Sequence, residues 1–199
     1  MATIANRTKA ILANQQALLL IVLLAMVAFF TSQNHIFFTN AVFGNIISDW
    51  APIVLIAIGE TFVIISGGID LSVGSTVAVS GVVAALSMRA LTTNGTSPTL
   101  TLFIGLLVSA GTGLLIGAIN AFLITKTNVV PFIATLVTMG AGSGLAIVFT
   151  GGGPIGGGPD QAIQLSLPKV GPFSYPGLVI VAIVITLGLF LHKARFGRY

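Results

Sequence analysis

The sequence G-G-I-D-L-S-V-G-S, at residues 67–75, joins two long apolar runs and includes Asp70, one of only four acidic residues in the chain. Glycine adopts the positive φ angles that end one helix and reverse the chain. Asp and Ser side chains accept hydrogen bonds from the free N–H groups that begin the next helix. We therefore predict a helical hairpin in which Gly67 and Gly68 turn the chain and Asp70 or Ser72 caps the second helix.

The composition is that of a membrane protein. Of the 199 residues, 55% are apolar and only 6% are charged, whereas about a quarter of the residues of a soluble domain are charged. A bilayer core needs about 20 apolar residues per helix, and the short alternating segments of a β-barrel are absent. We predict an all-α, polytopic transmembrane helical bundle with spans at residues 10–30, 46–66, 71–91, 100–124, 129–150 and 177–191.

The ends of the first two spans carry recognisable signals. The first span follows basic residues and resembles a signal peptide, but no small-x-small cleavage site follows Phe30. Five further spans do follow, which favours an uncleaved anchor. The second span is predicted to begin with Ser48 or Asp49 as its N-cap, with Pro52 in its first turn.

The basic residues predict the orientation of the chain. With the N-terminus in the cytoplasm, six of the eight Lys and Arg residues are cytoplasmic, namely Arg7, Lys9, Lys126, Lys193, Arg195 and Arg198. Only Arg89 and Lys169 are then outside, as the positive-inside rule favours. This orientation places the linkers 67–72 and 125–128 in the cytoplasm and the linkers 92–98 and 151–176 outside.

Small residues recur every four positions in two spans. They are Gly105, Ser109, Gly113, Gly117 and Ala121 in the fourth span and Gly140 and Gly144 in the fifth. Such stripes let helix backbones approach closely in lipid. We interpret them as packing surfaces in preference to a pore lining.

Two acidic residues and one amide are candidates for function. Ionisable groups within membrane spans are functional candidates in general, and Asp70 either caps a helix or lines a pathway. Glu60 lies inside the second span, where it faces the bundle interior, pairs with a residue such as Thr61 or Asn120, or is protonated. Asn120, in the fourth span, is interpreted as an interhelical hydrogen-bonding residue.

The sequence predicts no phosphate-binding loop, no metal site and no nucleic-acid surface. G-G-G-P-I-G-G-G-P, at residues 151–159, lacks the G-K-[ST] ending of a phosphate-binding loop and is interpreted as an irregular external loop. There is no cysteine, and His35 and His192 lie at opposite membrane faces, so no metal site is expected. The basic residues cluster at span ends, which indicates topology and not a nucleic-acid surface.

Two long motifs resemble those of a known family. G-E-T-F-V-I-I-S-G-G-I-D-L-S-V-G-S, at 59–75, resembles the signature of ribose-type (monosaccharide) ABC transporter permeases. V-V-P-F-I-A-T-L-V-T-M-G-A-G-S-G-L-A, at 129–146, resembles that family's second characteristic segment, and T-G-G-G-P-I, at 150–155, resembles the turn that follows it, with one extra glycine. The resemblance runs from about residue 45 to the end of the chain.

The resemblance implies a permease subunit in the bacterial inner membrane that carries a monosaccharide such as ribose by alternating access. The implied partners are an ATP-binding cassette subunit that binds ATP and magnesium, a periplasmic sugar-binding protein, a second permease subunit, either identical or different, and the surrounding lipid. This chain itself would be no enzyme and would hold no cofactor. The motif positions implied for the substrate pathway are Glu60, Gly67, Gly68, Asp70, Ser72 and Asn120.

The end of the chain resembles the approach to the segment that contacts the ATPase in this family. That lead-in consists of Arg195, Phe196, Gly197 and Arg198. Family members continue beyond it into a coupling helix and further spans. We therefore expect residues 1–199 to be the N-terminal part of a longer permease domain, either as a fragment or as a truncated gene product.

A different class of transporter also fits the pattern. In a proton- or sodium-coupled secondary transporter, Glu60 or Asp70 would bind the coupling ion. Glycine-rich interruptions of helices occur in that class too. Dependence of uptake on ATP or on an ion gradient distinguishes the two classes.

Overall fold

A computed structural model of the chain describes residues 15–171 and 173–193. Its elements are, in chain order, α1 Gln15–Gln33, α2 Asn40–Ile65, α3 Val73–Thr93, α4 Pro98–Thr125, α5 Pro131–Thr150, α6 Asp160–Ser166, β1 Pro168–Val170, β2 Phe173–Ser174 and α7 Tyr175–Lys193. Six of the helices, all but α6, are long and apolar enough to cross a membrane. The predicted all-α bundle of six spans is confirmed.

Proline and glycine set the bounds of α4 and α5. Pro98 and Pro131 each stand in the first turn of their helix, where the missing N–H is not needed and the fixed φ suits a helix. After α5, Gly151 has a φ of 62°, in the left-handed region that commonly ends a helix.

The beginning of α2 differs from the prediction. The helix begins at Asn40 after Thr39, and neither Ser48 nor Asp49 is its N-cap. Several apolar residues precede Ser48, so the chain is already helical before the polar pair is reached. Pro52 consequently lies inside the helix and not in its first turn, which membrane helices tolerate because neighbouring groups can satisfy the freed carbonyl.

The helices pack in two groups. In the first group, α3 packs against both α4 and α5, which also contact each other. The buried residues of α3 are small: Ser75, Val79, Ser80 and Ala84. In the second group, α2 packs against α7. The predicted helical hairpin of α2 and α3 is wrong, because the two helices belong to different groups. We keep the name hairpin only for the segment 66–72 that joins them. No residue of α1 is buried against the rest of the described chain, and its exposed leucines suit contact with lipid.

Close helix approaches occur at only some of the predicted glycines. A Cβ atom built on Gly105 would lie 2.6 Å from the Met88 side chain, and one on Gly113 would lie 3.6 Å from Ser80 Oγ. The α4 stripe is thus a packing surface against α3 at these two positions, as predicted.

The predicted packing at Gly140 and Gly144 is not observed within the described part of the chain. Neither glycine has any atom of another described element within 4 Å of its Cβ position. The close contact of α5 is instead made by Gly142, where a Cβ atom would lie 2.9 Å from Ser75 Oγ on α3. The four-residue repeat of Gly140 and Gly144 therefore does not lie on the face of α5 that contacts α3.

The glycine-rich stretch at 151–159 forms no helix or strand, so the predicted irregular loop is confirmed. The rest of the connection between α5 and α7 contains the short helix α6 and an antiparallel pair of strands, in which Pro168 pairs with Ser174 and Val170 with Phe173. The glycine-rich part lies against α3, because a Cβ atom on Gly157 would be 3.3 Å from Arg89 Cγ.

Candidate functional site

The chain leaves α2 through a glycine turn. Gly67 has a φ of 79°, and its N–H donates to the Ile64 carbonyl at 3.0 Å, while the N–H of Gly68 donates to the Val63 carbonyl at 3.0 Å. These two bonds are those of a Schellman motif, which satisfies the last carbonyl groups of a helix. The predicted left-handed conformation is confirmed at Gly67.

Gly68 serves a different purpose from the predicted one. Its φ is not in the left-handed region, so it does not share the turn-forming conformation of Gly67. A Cβ atom on Gly68 would lie only 3.1 Å from Val63 Cγ1. A larger side chain at residue 68 would crowd Val63 of α2. The prediction of a positive φ at Gly68 is wrong.

Asp70 organises the hairpin without capping α3 in the predicted way. Its Oδ1 accepts a hydrogen bond from the Ser72 N–H at 2.7 Å and another from the Ser72 O–H at 2.6 Å. Ser72 stands at the N-cap position of α3, but its side chain makes no capping hydrogen bond. The carboxylate therefore holds the residue before the helix, as in an Asx turn.

A line of side-chain hydrogen bonds connects this hairpin to α4 and α5. Asn120 Nδ2 donates to Ser72 Oγ at 2.8 Å, and Asn120 Oδ1 accepts from Thr138 Oγ1 at 2.8 Å. We call Thr138, Asn120, Ser72 and Asp70 the polar chain. Its inner members are almost fully buried, with 5% of Asn120 and 1% of Ser72 exposed. The interpretation of Asn120 as an interhelical hydrogen-bonding residue is confirmed.

Two threonines of α5 support the same hairpin and were not predicted. Besides Thr138 in the polar chain, the buried Thr135 has its Oγ1 3.2 Å from the Ile69 carbonyl oxygen and 2.9 Å from that of Pro131. The sequence does carry a signal, since the two threonines lie three residues apart and share a helix face. The face toward which they point is set only by the fold.

A cavity of about 390 Å³ opens beside the polar chain, between the end of α2 and the helices α4 and α5. Its lining includes Gly67, Gly68, Asp70, Gly117, Asn120 and Thr135. Four of the six predicted pathway residues therefore line one cavity. Ser72 is buried and bonded to Asp70 and Asn120.

Two predicted pathway residues, Glu60 and Ser72, do not line the cavity. The side chain of Glu60 is half-buried on α2. The predicted partners are wrong, because Thr61 donates to the Ala57 carbonyl of its own helix and Asn120 bonds to Ser72 and Thr138. The lead-in residues Arg195, Phe196, Gly197 and Arg198 lie outside the described part of the chain and stay predictions.

A family profile described as "Branched-chain amino acid transport system / permease component" matches residues 42–199. The chain belongs to this permease family. The match begins close to residue 45, where the resemblance to ribose-type ABC permeases begins, and it includes both quoted motifs. The permease is accordingly a multi-pass membrane protein.

Curated relatives of the permease come from several import systems. It is 38% identical over 152 residues to the ribose import permease protein RbsC of Bacillus subtilis, covering 72% of this chain and 43% of the relative. Against the autoinducer 2 import system permease protein LsrC of Yersinia enterocolitica the identity is 31% over 185 residues, 93% of this chain and 49% of the relative. Against the galactofuranose transporter permease protein YtfT of Escherichia coli the identity is 38% over 151 residues, which cover 73% of this chain and 40% of the relative.

The permease spans about half the length of these relatives, as those shares show. No solved structure matches it. The hairpin connection lines the cavity together with Ile124, near the end of α4, and Pro131, at the beginning of α5, so the hairpin connection and the connection between α4 and α5 lie at one end of the bundle. The membrane face to which that end belongs stays a prediction from the basic residues.

Replacing Gly67 by alanine is expected to destabilise the permease by about 1–2 kcal/mol, because a side chain is strained in the left-handed region. No neighbouring atom lies within 4 Å of its Cβ position, so the effect comes from the backbone alone. The measurement is detergent-induced unfolding of the purified protein. Gly74→Ala is the matched control, since Gly74 has open space and no positive φ. Equal stability of the two variants would contradict the prediction.

Proposed function

We propose that this permease is a membrane-spanning subunit of an ABC importer that carries an uncharged, hydroxyl-rich ligand, with a monosaccharide such as ribose as the leading candidate. The observation that carries the proposal is the cavity at the family motif. Its polar groups include a carboxylate, an amide, a serine and a threonine hydroxyl, and the backbone of two glycines. Such groups bind hydroxyls by hydrogen bonds without demanding a charge on the ligand.

The names of the relatives support the same class of ligand. Ribose, galactofuranose and autoinducer 2 are the ligands in the names of the three relatives, and the first two are sugars. The family profile mentions branched-chain amino acids, which carry charged groups at both the amino and the carboxyl end. Among the described residues that line the cavity, none has a cationic side chain that would pair with a carboxylate, and we take this to support the neutral ligand.

In the proposed importer, the energy comes from outside this chain. A partner ATP-binding cassette subunit binds ATP and magnesium and hydrolyses the nucleotide. A periplasmic sugar-binding protein delivers the ligand, and a second permease subunit completes the pathway across the bacterial inner membrane. The permease contributes two groups of helices with a cavity between them, which is the arrangement that alternating access requires.

Uptake by membrane vesicles tests the proposal. Right-side-out vesicles that contain the importer, supplied with the binding protein, are loaded with either ATP or ADP and given radiolabelled ribose. We expect uptake with ATP only, unchanged by a protonophore or by removal of sodium. Vesicles that lack the permease provide the background.

The Asp70 carboxylate in the lining of the cavity supports a second candidate function. A carboxylate can bind a proton or a cation, as a gradient-coupled secondary transporter would need. Uptake that is insensitive to the nucleotide and abolished by the protonophore or by sodium removal would support this candidate and overturn the ATP-driven one.

A further inference from the structure

The cavity presents a hydrogen-bond acceptor and a donor side by side. Asp70 Oδ1 already accepts two hydrogen bonds from Ser72, whereas no hydrogen bond to its second oxygen is found among residues 15–171 and 173–193. Asn120 Nδ2 donates one hydrogen to Ser72 Oγ and retains a second. Because Ser72 Oγ bonds to both groups, the carboxylate and the amide are no more than two hydrogen bonds apart.

Ser72 and Asp70 orient the Asn120 amide. The Ser72 hydroxyl donates its hydrogen to Asp70, so it can only accept a hydrogen bond from Asn120. At the other end of the amide, the Thr138 hydroxyl donates to Asn120 Oδ1 at 2.8 Å, with two carbonyl groups of its own helix as alternative acceptors at 3.1 and 3.2 Å. A flipped amide would place an oxygen against Ser72 Oγ and lose that bond, and it would replace the acceptor of Thr138 by an NH₂ group. Ser72 and Thr138 together therefore favour the orientation in which the NH₂ group faces Ser72.

We propose that Asp70 and Asn120 together bind a vicinal diol, and that Thr138 is the positioning residue that keeps the Asn120 amide in its donating orientation. One hydroxyl of the diol donates to the free oxygen of Asp70. The oxygen of the adjacent hydroxyl accepts the second N–H of Asn120. This inference rests on the proposed function and narrows its ligand class from hydroxyl-rich molecules to those with two neighbouring hydroxyls.

The size and the surroundings of the cavity agree with this assignment. Its volume of about 390 Å³ is within the range of about 300–1,000 Å³ that small-molecule sites usually have. Gly117 and Ala121 border the cavity, so α4 leaves room beside the amide. Asp70 and Asn120 both bond to the one Ser72 hydroxyl, so we expect neighbouring hydroxyls to reach both groups and hydroxyls separated by a methylene to reach only one.

Binding of small diols to the purified full chain tests the inference without the transport assay. The chain is placed in nanodiscs of phosphatidylcholine, a lipid without a diol, and saturation-transfer NMR compares cis-1,2-cyclohexanediol with cis-1,3-cyclohexanediol. We expect the 1,2-diol to bind at least tenfold more tightly, and D-ribose to displace it. Loss of one hydrogen bond to a buried charged group corresponds to about a tenfold to a hundredfold change in affinity.

Two variants separate binding from folding. Asn120→Asp keeps the size of the side chain but removes the N–H donor, and Thr138→Val removes only the hydroxyl that orients the amide. Both are expected to abolish the preference for the 1,2-diol. Thr186→Val is the control, since Thr186 donates to the Ala182 carbonyl of its own helix, α7, away from the cavity.

Each outcome of this comparison bears on the inference. Equal binding of the two diols by the unaltered chain would overturn it. Retention of the preference by a folded Thr138→Val variant would overturn the positioning role, and that variant answers the question even where Asn120→Asp does not fold. If the preference is present but vesicle uptake is independent of ATP, the ATP-driven function fails while the diol site stands.

Discussion

Replacing Gly142 by alanine is expected to destabilise the permease by about 1–3 kcal/mol, the usual range for overpacking. The new Cβ atom would lie 2.9 Å from Ser75 Oγ and 3.0 Å from Ser75 Cβ. Ser75 is buried, and its hydroxyl donates to the Ser72 carbonyl at 2.8 Å, so it cannot move aside freely. The helices α3 and α5 would have to separate. Unfolding of the purified protein by a denaturing detergent measures the change.

The same helix offers a control with the opposite expected sign. Gly144→Ala adds the identical methyl group where no neighbouring atom lies within 4 Å. Alanine is more favourable than glycine in a helix by up to about 1 kcal/mol, so this variant should be unchanged or more stable. If both alanine variants had the same stability, the close contact between Gly142 and Ser75 would be disproved.

Replacing Asp70 by alanine is expected to destabilise the hairpin by about 1.5–3 kcal/mol, the range for a hydrogen bond to a charged group. The Ser72 N–H and O–H would both lose their acceptor. The Asp70→Asn variant retains an Oδ1 that can accept the same bonds, so it should fold with a smaller loss of stability. Unfolding by detergent, compared across the two variants and the unaltered protein, measures the effect.

The Asp70→Asn variant also distinguishes the role of Asp70 in the stability of the hairpin from its role in ligand binding. Its second terminal atom is an NH₂ group, which cannot accept the hydroxyl of a diol, so binding of the 1,2-diol should fall although the fold persists. Equal destabilisation by Asn and by Ala would contradict the role of Oδ1 in the hairpin. Unchanged diol binding by a folded Asp70→Asn variant would contradict the role of the second oxygen.

Much of the fold follows from local properties of the sequence. Long apolar runs predict the six spans, because each bilayer crossing needs a similar length of apolar chain. The predicted beginnings of the fourth and fifth spans, at residues 100 and 129, lie two residues from Pro98 and Pro131, where α4 and α5 begin, and Gly67 predicts the turn after α2. Each of these signals depends on the residue itself and its close neighbours. Where the local signals conflict, as at the beginning of α2, the apolar run prevails over the polar pair that follows it.

The polar chain could be predicted only in part. Asp70, Ser72 and Asn120 are conspicuous as polar residues in an apolar sequence, but their contacts join residues 48 positions apart. Nothing in the sequence distinguishes Thr138 from other threonines, because its contact with Asn120 depends on the packing of α5 against α4. Gly142 likewise differs from Gly140 and Gly144 only by the helix face that it occupies. Such distinctions depend on which faces meet, and a repeat along one helix does not contain that information.

The division of the helices into two groups limits how the molecule can change shape. The group of α3, α4 and α5 is joined to the pair α2 and α7 by two covalent links, the hairpin at 66–72 and the segment at 151–174. The cavity lies where α2 meets the first group, next to the shorter link. Any change in the position of α2 relative to the first group would alter the cavity, since Val63 of α2 and Asn120 of α4 both line it. The polar chain bonds Asp70 to α4 and α5, so a ligand held by Asp70 and Asn120 would be attached to the first group and not to α2.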